Sequence, residues 1–257
     1  MSRDQRYIFL VSALQALLGL FLLYFTPYQV ILPVLVLALN YFLFRRLILS
    51  KRRGFLLIKS LRSSLWLLLW FFYLFSINSI NLIPLPLFVG LTVIGGGLYG
   101  LICYLDIQQN TRMSLQNILT TALLVLATTC GSLAIIFWHW PLAIILLLFW
   151  LVNFTLALLW LLEFTNNPQI LATLWALAAT ELFWIASRWV ILYRVPRSSL
   201  MISQISLIIG ALAYCWGGIY FHHKNQTLKR SLLFEYIVVS SVIFIVLVLL
   251  SRWSVAL

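Results

Sequence analysis

Nine stretches of nearly unbroken apolar residues dominate the chain, at about 7–25, 29–45, 62–80, 86–105, 116–137, 141–162, 170–192, 199–220 and 232–251. A hydrocarbon core about 30 Å thick takes roughly 20 residues of helix at 1.5 Å per residue, and each stretch is close to that length. The runs are continuous rather than alternating, and a lipid-embedded backbone must satisfy its own hydrogen bonds, so helices are expected instead of barrel strands. The pattern therefore predicts an all-α fold: a polytopic transmembrane helical bundle of about nine spans with no soluble domain.

The breaks between runs carry ordinary turn chemistry, as in "TPYQ", "NSINLIPLP", "HWP" and "NNPQ". Short breaks make sequential helices antiparallel. The widest gap, about 46–61, is too short for a domain of even about 40 residues, which places any chemistry in or at the edge of the membrane. The N-terminal run begins beside basic residues, but it is longer than the apolar region of a signal peptide and lacks a small-residue cleavage site. It is expected to remain as the first span.

Composition agrees with this pattern. Hydrophobic residues make up 64% of the 257, charged residues only 9%, and the mean hydropathy is +1.07. The 17 Lys and Arg against 5 Asp and Glu would suggest a nucleic-acid partner in a soluble protein. Here the cations lie between the apolar runs, where they set orientation and attract anionic lipid, so no nucleic acid is expected. With the N-terminus inside, 13 of the 17 fall in inner segments. The expected topology is N-terminus cytoplasmic and C-terminus outside, most simply in a cell inner membrane.

The segment "RRLILSKRRGFLLIKSLR" concentrates Arg45, Arg46, Lys51, Arg52, Arg53, Lys59 and Arg62 among Leu, Ile and Phe. It is expected to meet anionic lipid headgroups on the inner face. Cys103, Cys130 and Cys215 lie within apolar runs without CxxC or zinc-ligand spacing, so they read as packing residues, and neither a metal nor another cofactor is expected.

Glu181 is the sharpest chemical signal, because a charged residue deep in a span costs about 2.5–3.5 kcal/mol on insertion scales. It is expected to face the bundle interior on a helical face shared with Leu174, Ala178, Ile185 and Arg188. Arg188 follows seven residues later, about 10.5 Å along the axis. Gln15, Asn153, Thr155, Ser203 and Gln204 are polar residues in other spans that could meet this carboxyl. Glu181, Arg188, Asn153, Gln204 and Gln15 are thus candidate substrate or ion contacts, and the competing role for the same set is interhelical glue.

Small residues mark expected close helix contacts: Gly96 and Gly100 at GxxxG spacing, and Ser206, Gly210, Ala213 and Gly217 along one face. The glycine run 95–97 has a second interpretation as a broken transporter helix. The adjacent His222 and His223 point in different directions and read as an interfacial anchor. Motifs for metalloprotease, serine hydrolase, lipid-phosphate transferase and redox chemistry are missing, which argues against an enzyme. Two functions remain: a small transporter or permease component using the Glu/Arg site, which is favoured, or a non-catalytic scaffold whose helices pack against a membrane-protein partner.

Overall fold

The computed structural model describes residues 55–80, 83–107, 113–162, 165, 167–194 and 200–250, together with 6, 9, 10, 12–14, 16 and 17 near the N-terminus. The chain divides into two compact units, Met1–Arg112 and Met113–Leu257. Six helices among the described residues are long and apolar enough to cross a membrane, which marks this as a membrane protein. Most of the expected spans at 7–25 and 29–45 lie outside the described residues, so the nine-span count extends beyond what these helices establish.

In the first unit, α1 (Phe55–Ile80) and α2 (Leu85–Ile107) pack against each other. Pro84 precedes α2 and Pro86 lies in its first turn, where a missing N–H removes no helical hydrogen bond. The helix runs unbroken through Gly95–Gly97. A Cβ on Gly95 would strike the indole of Trp70, one on Gly96 would lie 2.9 Å from Leu17, and one on Gly100 would lie 3.1 Å from Ala13. The glycines are packing surfaces, and the Trp66 indole donates to the Gly95 carbonyl at 3.3 Å across the same seam.

The second unit contains α3 (Met113–Ile136), α4 (Leu142–Leu161), α5 (Pro168–Ala186), α6 (Gln204–Lys224) and α7 (Arg230–Leu250). The most extensive pairings are α4 with α5 and α3 with α6; α3 also meets α4, and α6 meets α7. The small-residue face of α6 is buried as its spacing predicted, with Gly210 against Val125 and Gly217 against Asn117. The turn between α3 and α4 places His139 at φ 48° before Pro141, and the turn after α6 places Gln226 at φ 55°. His222 Nδ1 meets Thr227 Oγ1 at 3.0 Å across that second turn.

One region departs from the expected spans. The seventh run was expected to reach residue 192 and the eighth to begin at 199. Instead α5 ends at Ala186, a single 3-10 turn covers Ser187–Trp189, and the chain then forms a small hairpin. Strand β1 (Leu192–Arg194) pairs antiparallel with β2 (Met201–Ser203), matching Leu192 to Ser203 and Arg194 to Met201. The β-branched Val190, Ile191 and Ile202 suit extended backbone, and the pairing of the two segments holds it. Ser203 then caps α6, its Oγ accepting the Ser206 N–H at 3.2 Å.

Candidate functional site

Helix α5 has two faces. Ala172, Ala176, Ala179 and Phe183 recur at helical spacing, are at most 1% exposed, and form the seam against α4. Small side chains let the two axes approach, and the Phe183 ring stacks on Phe149 with centroids 4.5 Å apart. A Cβ on Gly131 of α3 would come within 3.0 Å of Phe183, so that glycine makes room for the ring.

The opposite face carries Ile170, Leu174, Leu177, Ala178, Glu181, Ile185 and Arg188, all exposed. This corrects the expected burial of Glu181, which is exposed rather than packed against another described helix of its unit. The misleading signal was Ala178, a small residue on the wrong side, whereas the true seam lies about 200° round the helix through Ala176. Glu181 sits about 6 Å past the midpoint of α5, deep within a span. Among the described residues it has no hydrogen-bond or ion-pair partner. The Arg188 guanidinium lies 5.7 Å from the centroid of the Trp184 ring, an exposed cation–π contact one turn back along the chain.

The other candidate contacts are placed separately. Asn153 is fully buried on α4, where its Nδ2 donates to the Phe149 carbonyl at 2.9 Å while Oδ1 has no partner. Thr155 donates to its own helix at Leu151, and Ser203 is engaged in capping. Gln204 opens α6, its N–H donating to the Ile191 carbonyl at 2.9 Å. Gln15, Arg45, Arg46, Lys51, Arg52 and Arg53 lie outside the described residues, as does the side chain of Lys59. Arg62 was expected at the lipid headgroups, but it is only 4% exposed, so its side chain is enclosed by the chain rather than presented to a surface.

Sequence reasoning missed a second feature of this unit. A cavity of about 30 Å³ is lined by Asn117, Thr120, Trp160, Trp175, Trp216 and Gly217, with Thr121, Leu124, Ala157 and Ala213 completing the wall. Trp175 and Trp216 stack at 5.4 Å and 14°, and Trp160 and Tyr220 close the cluster at 5.8 Å. The three tryptophans are far apart in the linear sequence. Trp160 closes α4, whereas Trp175 and Trp216 each lie two residues from the midpoint of α5 and α6, so no local pattern joins them.

No protein family, curated protein or solved structure matches this chain.

Proposed function

We propose that this protein is an assembly component of the membrane, docking through the exposed face of α5 onto a transmembrane helix of another membrane protein. The observation that carries this reading is Glu181, a carboxyl on an exposed face among Leu174, Leu177 and Ile185. Ionisable residues within spans normally turn inward and are paired, because hydrocarbon leaves the charge unsolvated. A partner helix bearing a cation or hydrogen-bond donor at the depth of Glu181 would satisfy it. The apolar residues around it supply the packing surface.

The test is native electrophoresis of gently solubilised membranes carrying the wild type, Glu181→Gln or Glu181→Leu. The wild type should migrate in a larger assembly, Glu181→Gln should retain it through the amide, and Glu181→Leu should release the single chain. A wild type that migrates alone, with Glu181 open to a lipid-soluble carbodiimide, would sink the proposal.

A transporter or permease role is the second reading, and the observation on its side is the half-open cavity with Asn117, Thr120 and Thr121 in a largely apolar wall. Glu181, Arg188, Asn153 and Gln204 do not line that cavity. Transport through it would use Asn117 and Thr120 instead.

A further inference from the structure

Helix α6 has 21 residues, about 32 Å at 1.5 Å per residue, and is apolar enough to span a bilayer, so the turn that follows it lies at headgroup level. That turn is ordered. The Asn225 N–H donates to the Phe221 carbonyl at 3.1 Å, the Gln226 N–H to His223 at 3.1 Å and the Thr227 N–H to His222 at 2.9 Å. Helix α7 then runs back along α6, with Tyr236 against Gly218 and Ser240 against Cys215.

Three cations flank this fixed turn: Lys224 ends α6, and Lys229 and Arg230 begin α7. All three are exposed, and their side chains have no hydrogen-bond or ion-pair partner among the described residues. Arg62, expected at the headgroups, is enclosed instead. Below the turn, Phe234, Ile237 and Ile245 are exposed and recur with Arg230 on one face of α7, at offsets of four, seven and fifteen residues. Glu235 lies about 140° round the helix from Arg230, off this stripe.

We propose that the α6–α7 turn holds the phosphate of an anionic phospholipid whose acyl chain lies along the Arg230–Phe234–Ile237 face of α7. Three unpaired cations suit a lipid of net negative charge, whereas a zwitterionic headgroup carries its own ammonium beside the phosphate. The apolar stripe beginning at the cations, at the depth where headgroup gives way to hydrocarbon, favours a lipid over a free anion. The site is independent of the α5 docking face.

The test uses the full chain with Asn225→Cys carrying an environment-sensitive fluorophore, in phosphatidylcholine nanodiscs with graded phosphatidylglycerol. Asn225 is exposed, and Cys103, Cys130 and Cys215 are buried, so the label marks the turn. The signal should saturate at a low phosphatidylglycerol fraction, and inorganic phosphate added to phosphatidylcholine discs should give none. Replacing Lys224, Lys229 and Arg230 together by Gln should raise the half-response fraction at least about tenfold, while the charge-keeping set Lys224→Arg, Lys229→Arg and Arg230→Lys should retain it. If the Gln set fails to fold, Lys229→Gln alone decides, with a shift of about fivefold expected. A signal that rises without saturating, an unchanged response in the folded Gln variant, or an equal response to inorganic phosphate would overturn the proposal. No response to phosphatidylglycerol would do the same, leaving the cations to set orientation alone.

Discussion

The two sides of α5 share one backbone and nearly the same hydrophobicity, yet they perform opposite tasks. The Ala172–Ala176–Ala179–Phe183 side is closed against α4. The Leu174–Glu181–Ile185 side is exposed and contains the one acidic residue of the helix. In an apolar span, side-chain size marks the packed side better than polarity does, because lipid is as apolar as a leucine side chain and does not drive helices together. The packed side should therefore govern stability, and the open side should govern association.

The largest effect should come from Phe183→Ala, which removes the ring stacked on Phe149 and opposite Gly131. A loss of about 3 kcal/mol is expected from cavity formation, read by thermal or denaturant unfolding in detergent. Ala176→Leu should follow, at about 2 kcal/mol, because the added methylenes must force α4 and α5 apart. Should either variant unfold like the wild type, the small-residue seam would lose its assigned role.

Substitution on the open side should behave differently. Glu181→Leu should change the unfolding of the isolated chain by under about 0.5 kcal/mol, since no described contact is lost. Its effect belongs to the assembly measured by native electrophoresis. A large change in the isolated chain would instead place Glu181 within the packing of the fold.

The smallest effect is expected just beyond α5, in the hairpin. Burial pushes the Tyr193 phenol above its usual value of 10, and its hydroxyl is buried without a partner. Burial disfavours the phenolate in the folded state, so the unfolded chain loses this proton first as pH rises. The stability associated with the neutral phenol is fully present below about pH 10 and declines above it. Tyr193→Phe should leave stability at neutral pH unchanged or slightly higher and flatten the alkaline decline, measured as unfolding midpoint against pH. An alkaline decline as steep as that of the wild type would assign it to another group.

Long apolar runs were enough to predict the helices from α1 to α7 within a few residues at most ends, because hydropathy and length report directly on a membrane-spanning helix. The glycine and small-residue contacts of α2 and α6 were also legible, since GxxxG-type spacing repeats on one helical face whatever the neighbour. The β1–β2 hairpin was not: "VILYR" and "LMIS" extend apolar runs, and strand pairing depends on two segments meeting across a turn. The exposure of Glu181 escaped for a related reason, because a helix apolar on all sides does not declare which face is packed. The cavity required side chains from four helices, so no local pattern contained it. The sequence by itself determined the helical membrane architecture, through run length and the need to satisfy the backbone in lipid. Only the tertiary structure decided which faces close, that Glu181 is exposed, and that Asn117 and Thr120 share a cavity with three tryptophans, because those outcomes depend on how separate helices rotate and pack against one another.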